Sequence, residues 1–288
     1  MLYEEAVHRP LGDLYLTVEF GDELNLTQNF RVIGLDLALQ GSPISGVTET
    51  IPTNRSLGVV YDPLTISLER LTAELREREV GLDRLVELPS RLVTIPVWYN
   101  DPWSHECALA HGAPNNLDFL AEINGISVEE VIERHSGAEH WVSAVGFQPA
   151  TYQAIFLDPS KAITAPKYER PRRWTPERIL CIAGQITSFY AVESPGGYQL
   201  LGRTPLDLYD PDQRNPVFKD GPVLPRVSDR HRYVPIDEQA YHEIRAEVEA
   251  GVYEYRIEEG VYRLQEYLEN VKRWEEQRKQ WAAPASKS

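Results

Sequence analysis

The sequence predicts an α+β chain in which a small mixed subdomain is followed by a β-rich barrel or sandwich and a helical tail. Three observations carry this reading. Before residue 100, alternating strands and helix-period segments interleave in the order β-α-β-β-α-β. Between His140 and Ile236, six short β-like runs are closely punctuated by Pro and Gly. After Asp237 the apolar spacing returns to helical period. The expected boundaries are residues 1–99 for the first subdomain, 100–236 for the β-rich domain with a helical lead-in, and 237–288 for the tail.

In the first part, Leu14, Leu16, Val18 and Phe20 alternate with polar residues, the pattern of a half-buried strand. Leu26, Phe30, Ile33 and Leu37 then fall at spacings of three and four, which predicts a helix over 25–40 stopped by Gly41 and Pro43. Strands over 47–52 and 57–61 follow, separated by Thr53-Asn54-Arg55. A second helix over 67–79 carries Leu68, Leu71 and Leu75, and a strand over 92–98 completes the split βαβ, ferredoxin-like order.

Between residues 100 and 137 the period is helical. Asn116 to Ile123 is one short helix, and Ser127 with Glu130 forms a capping box that opens another. The six β-like runs occupy 141–147, 152–156, 179–183, 186–192, 198–203 and 232–236. Asp237 caps a helix to about Ala250, an extended piece covers 252–257, and a last helix spans 264–281. On that helix Leu264, Tyr267, Leu268, Val271, Trp274 and Trp281 form an apolar stripe, flanked by the pairs Glu269/Arg273 and Glu275/Lys279. Two tryptophans there predict a subunit contact.

Composition narrows the function. The chain has 288 residues, 44 acidic against 29 basic, for a formal charge of −15. Such a surface repels phosphate backbones, and no Lys/Arg run is interleaved with aromatics, so nucleic acid is not an expected partner. The segment MLYEEAVHRP lacks the apolar core of a secretory signal, and no stretch is apolar enough to span a bilayer; neither membrane nor export is expected. Two cysteines make no disulfide framework, and the expected location is cytoplasmic.

The motifs exclude several chemistries. There is no G-x-S-x-G elbow and no G-x-x-x-x-G-K-[ST] loop. His105-Glu106-Cys107 with His111 is not H-E-x-x-H, so no metal site is expected. What remains is a site built from loops at the ends of strands. The stretch from Cys181 to Pro205 holds Gly184, Gly196 and Gly197 among Gln185, Thr187, Tyr190, Tyr198, Gln199 and Arg203, which suits a planar polar substrate. The loop over 161–177 concentrates Lys161, Lys167, Arg170, Arg172 and Arg173 in an otherwise acidic chain, a local field for carboxylates or phosphates. Its alternative role is a solvated loop that balances nearby acids.

At GFQPATY, FLDP, IAGQITSFY and SPGGYQLLGRTP, and upstream at GVTETIPTNRSLGVVYDP, the chain resembles subdomain C of the carboxyltransferase found in urea carboxylase, allophanate hydrolase subunit 1 and the group of the 5-oxoprolinase B subunit. PNNLDFLAEINGI, TAPKYERPRRWTPE and the tail look closest to the urea carboxylase branch. The resemblance implies an α+β subdomain followed by a cyclophilin-like β-barrel. It also implies a subunit of a multi-subunit, biotin-dependent carboxylase, with a subdomain D subunit, a biotin carboxylase and a biotin carrier as partners. ATP would be consumed by a partner and not bound here. The carrier would deliver carboxybiotin, which would lose CO2; the decarboxylated biotin would take the proton of a small amide- or urea-like N–H, or of an acidic C–H, and the resulting anion would capture the CO2.

By the same resemblance Lys167 and Arg203 are the expected catalytic cations. Gly196 and Gly197 would offer backbone N–H groups, and Gln185, Thr187, Tyr168, Tyr198 and Gln199 would orient the substrate. Relatives of the oxoprolinase type tend to read GFxPGF and GGQTG where this chain has Gly146-Phe147-Gln148-Pro149-Ala150 and Gly184-Gln185-Ile186-Thr187-Ser188, which leaves the substrate open. Two other classes share the barrel: a subunit of an ATP-dependent lactam hydrolase, and a regulatory binding protein such as the family's sporulation-kinase inhibitor.

Overall fold

The computed structural model describes residues 1–282, with side chains to residue 277. It divides into two units, one of residues 1–90 with 261–266 and one of residues 91–260 with the segment from Tyr267.

The first unit contains β1 (Leu2–Leu11), β2 (Tyr15–Gly21), α1 (Leu26–Gly41), β3 (Val47–Pro52), β4 (Ser56–Tyr61) and α2 (Leu68–Glu79). The strands form an antiparallel sheet in the order β1-β2-β4-β3. Leu16, Val18 and Phe20 of β2 and Leu57, Val59 and Tyr61 of β4 pack on Val32, Leu35 and Leu39 of α1 and Leu71 and Leu75 of α2. Asn25 caps α1 by accepting from Thr27 N–H, and Ser67 caps α2. Leu37, expected on the inner face of α1, is exposed, and Leu35 and Leu39 are buried instead.

This sheet departs from the ferredoxin-like order. The strand expected to complete it, 92–98, lies in β5 (Glu87–Tyr99) and pairs with strands of the second unit. Leu92, Val93, Ile95 and Val97 are all buried, and a continuous apolar run does not reveal which sheet it will join. Strand β1 occupies an edge of the first sheet instead. Its sequence LYEEAVHRPL does not alternate, because an edge strand with much of its surface in water is under little pressure to do so.

The second unit contains α3 (Pro102–Ala110), α4 (Asn116–Asn124), α5 (Val128–Ser136), β6 (Glu139–Val145), β7 (Tyr152–Phe156), β8 (Ile179–Ala183), β9 (Ile186–Tyr190), β10 (Gln199–Arg203), β11 (Arg230–Pro235) and α6 (Glu238–Glu249), the last capped by Asp237. Seven strands run in the order β10-β8-β9-β7-β6-β11-β5, and pairing of β10 with β5 closes them into a barrel. Only β5 and β11 are parallel among these pairs. The chain is thus a mixed α and β protein with a closed barrel. β12 (Ile257–Arg263) follows β5 in the sheet order, starting where the sequence placed the end of an extended piece.

The last helix, α7 (Leu264–Ala282), buries Leu264, half-buries Tyr267, Val271 and Trp274, and exposes Leu268. Asn270 on it donates to the Leu157 carbonyl at 3.0 Å. Trp281 and Lys279 lie outside the described side chains.

Closure depends on one glycine. A Cβ built on Gly202 would lie 2.5 Å from the Trp98 carbonyl oxygen and 2.8 Å from Tyr99 Cα, backbone atoms that cannot step aside. Arg91 and Asp229 fix the other side of β5: Nε and Nη2 donate to the two carboxylate oxygens at 2.8 and 2.6 Å, and Nη2 also donates to the Leu224 carbonyl.

The buried part of this unit includes a polar network of rings. Tyr99 OH and His135 Nδ1 share a hydrogen bond of 2.8 Å, His135 Nε2 and Thr187 Oγ1 one of 3.0 Å, and the Tyr152 and Tyr233 hydroxyls one of 2.8 Å. His140 Nε2–H donates to the His135 carbonyl. Burial holds these histidines neutral, lowering His140 to about 4 and, with the proximity of His140 adding to the effect, His231 to about 3.

Two outcomes follow. Gly202→Ala lowers unfolding free energy by at least ~1–3 kcal/mol, the usual range for overpacking, as read by urea denaturation. Because the unfolded histidines take up protons near pH 6.5 and the folded ones do not, stability is full above that pH and declines as pH falls toward 4. His231→Phe flattens this decline in urea midpoints measured across pH 7.5 to 5.

Candidate functional site

The loop between the short turn at residues 159–161 and β8 lies against the turn before β10. Tyr168 N–H donates to the Gly197 carbonyl at 2.7 Å; Arg172 N–H donates to the Gly196 carbonyl at 2.8 Å, and Gly196 N–H returns a bond to Arg172 at 3.2 Å. Gln199 Nε2 donates to the Pro166 carbonyl at 2.8 Å. Ala165 and Gly184 exchange backbone bonds, which sets the Gly184-Gln185 hairpin beside the same loop. The basic loop and the glycine turn are therefore one hydrogen-bonded body.

Helices α3 and α4 fasten it from the other side. Asn116, buried at the start of α4, accepts from Leu200 N–H at 2.6 Å and donates to Tyr168 OH at 2.7 Å. Asn124 at the end of α4 exchanges two bonds with the Thr164 backbone. His111 donates from Nδ1 to the Cys107 carbonyl and accepts Arg173 N–H at Nε2, while Cys107 Sγ donates to the Trp174 carbonyl. Burial pushes the Cys107 thiol up to about 11. The H-E-C…H run thus serves as a clamp on the loop.

Against this frame the expected residues divide. Lys167 is exposed, makes no ion pair among the described residues, and holds its ammonium 5.1 Å from the centre of the half-buried Tyr198 ring. Gln185 is exposed on its hairpin. Tyr168 and Gln199 are spent on fastening, as described.

Gly196 is sterically required, since a Cβ there would fall 1.9 Å from the Tyr190 hydroxyl; at Gly197 the nearest atoms are 3.9 Å away or more, among them Lys167 Cβ. Gly197 thus packs directly against the loop that carries the lysine.

Thr187 and Arg203 stand apart. Thr187 is buried and bonded to His135. Arg203 is at the far end of β10 from Gln199, roughly 13 Å along an extended strand. Its Nε–H donates to the Glu177 carbonyl at 3.1 Å, and its guanidinium lies 4.4 Å over the Trp103 ring, which meets Trp98 edge to face and Tyr241 at a tilt.

Sequence reasoning missed Asn116 as a fastener. The doubled amide of Asn115-Asn116 was the available signal, because Asn115 alone caps α4. The β6–β7 loop joins the same region through Ser194 Oγ–H, which donates to Gln148 Oε1 at 2.9 Å. Phe147 on it is 95% exposed with φ 73°, and Ala150 has φ 53°, left-handed conformations that are unusual outside glycine.

The sequence matches the family of the carboxyltransferase domain, subdomain C and D, over residues 6–219, and the chain belongs to that family. It is 34% identical to the 5-oxoprolinase B subunit of Bacillus subtilis over 82% of this chain and 95% of that protein. It is 29% identical to urea amidolyase of Saccharomyces cerevisiae over 93% of this chain but only 15% of that much longer protein. The crystal structure of the K. lactis urea amidolyase superposes with a TM-score of 0.84 at 26% identity, covering 94% of this chain and 17% of that one. No described helix is long and apolar enough to cross a membrane.

Asn116→Leu leaves Tyr168 OH and the Leu200 N–H without their partner. The expected cost is about 1–3 kcal/mol in urea denaturation; an unchanged midpoint would show that Asn116 does not fasten the loop.

Proposed function

We propose that this chain is the carboxyltransferase component of a biotin-dependent carboxylase, acting on a small amide- or urea-like N–H or a related acidic C–H. The observation that supports this over a lactam hydrolase is the extent of the urea amidolyase likeness, which continues through 94% of the chain at a TM-score of 0.84. Carboxybiotin, brought by a carrier, would supply activated CO2. Biotin carboxylase, carrier and subdomain D would act together with this region, which corresponds to a small part of urea amidolyase.

The residues fit such a group. A cation over an aromatic face suits a planar ureido ring that bears a carboxylate, and Lys167 over Tyr198 has this form. In this reading Lys167 holds the transferred carboxylate and stabilises negative charge as it develops on the acceptor. Gln185 hydrogen bonds the amide of the substrate, and Tyr198 gives it a flat support. Tyr168, Gln199 and Asn116 hold Lys167 in position, so little ordering of the loop is left for the moment of reaction. Arg203 and Thr187 contribute indirectly, through the fold that carries the loops.

A second reading keeps a specific support, the 34% identity to the 5-oxoprolinase B subunit across nearly the whole of that protein. There the same face would bind a lactam, with ATP used by a partner.

Reconstitution separates the two. With biotin carboxylase, biotinylated carrier and subdomain D added, ATP-dependent fixation of labelled bicarbonate into an amide is expected; ATP-dependent lactam opening without fixation would favour the second reading. Lys167→Met is expected to lower kcat/KM for fixation by 100-fold or more, about 3 kcal/mol, with no change in melting temperature. Unchanged turnover in that variant would remove Lys167 from the mechanism.

A further inference from the structure

Arg172 is 1% exposed, yet no carboxylate among the described residues forms an ion pair with it. Nε–H donates to Thr175 Oγ1 at 3.1 Å, while the buried Nη1 and Nη2 have no hydrogen-bond partner among the described residues. A buried charge left in this state is costly, and a native fold retains one when something pairs with it.

Its closest described neighbours are rings and protonated groups. The guanidinium carbon lies 4.5 Å from the Tyr168 ring centre and 6.0 Å from that of Tyr190. Ring faces attract the cation but do not accept its in-plane N–H groups as a carboxylate would. Cys107, Cys181 and the Tyr190 hydroxyl feel its charge, but burial outweighs that and keeps all three protonated.

We propose that Arg172 anchors a site for a small monoanion of the carboxylate class, gripped by the fork of Nη1 and Nη2 behind the Ser194–Gly197 turn. Three features fix the class. One unanswered positive charge matches one negative charge, so a phosphate dianion overcompensates it. The two terminal nitrogens match the two oxygens of a planar carboxylate. The nearby rings of Tyr168 and Tyr190 favour a flat group. Access requires the Tyr168 side chain to swing aside while the backbone bonds of Gly196 to Arg172 stay in place.

This deepens the carboxyltransferase reading, on which the identity of the anion rests: the substrate would carry a carboxylate as well as its N–H, bound behind the turn while Lys167 works in front of it. Binding of the anion does not itself depend on that reading.

The test is a titration of the full chain with sodium acetate, bicarbonate and phosphate at constant ionic strength, following the Arg172 side-chain NMR resonances and the melting temperature. Acetate or bicarbonate is expected to shift the Arg172 resonances saturably and to raise the melting temperature. In the melting-temperature readout, Arg172→Lys should weaken acetate binding at least about tenfold and Arg172→Met should abolish it. Resonances that do not move with any monoanion would overturn the proposal, and phosphate binding as tightly as acetate would overturn the carboxylate class. If both variants fail to fold, the wild-type resonances decide alone. Saturable anion binding alongside a reconstituted complex that fixes no bicarbonate would count against the proposed function and leave this site standing.

Discussion

Strand β10 meets β5 at Gly202, and the barrel exists because nothing but hydrogen projects from that residue toward the Trp98 carbonyl. The same strand begins at Gln199, which ties the basic loop, and ends at Arg203, which stacks on Trp103. One five-residue element therefore closes the barrel, positions the candidate site at one end and anchors an aromatic cluster at the other. That separation explains why the two expected cations, Lys167 and Arg203, have different surroundings: one is held out to solvent over a ring and the other is buried in structural contacts.

The site itself is organised by how its polar groups are divided. Backbone bonds between residues 165–172 and 184–197, with side-chain bonds from Asn116, Asn124, Gln199 and His111, tie the loop at points along its length. A loop so fastened loses little entropy when it binds, which is the physical advantage of a preorganised site. Lys167 and Gln185 are left exposed, and the Tyr198 ring is half-buried beside Lys167. Arg172 is the exception within the fastened set, a charge turned inward without an acceptor for its terminal nitrogens among the described residues.

Much of the fold was legible because period and punctuation are local. Strands over 152–156 and 179–183 match their expected bounds, and the caps expected at Ser127 and Asp237 are both made. Sheet membership was not legible: β5 reads as a buried strand in either sheet, and its long-range pairing to β10 and β11 leaves no local trace. The region of the site was legible through the glycine turn and the charged loop. The direction of each side chain was not, since Thr187 turns inward to His135, 52 residues away, and the amide that reaches Tyr168 comes from position 116.

Above all, the basic loop and the glycine turn form one hydrogen-bonded body attached to the barrel, and the proposed chemistry depends on its rigidity. Native-state hydrogen exchange of the Tyr168, Arg172 and Gly196 amides tests this directly. Protection comparable to that of the β8 and β10 strand amides is the predicted result. Exchange of these three amides at the rate of an open surface loop would contradict it.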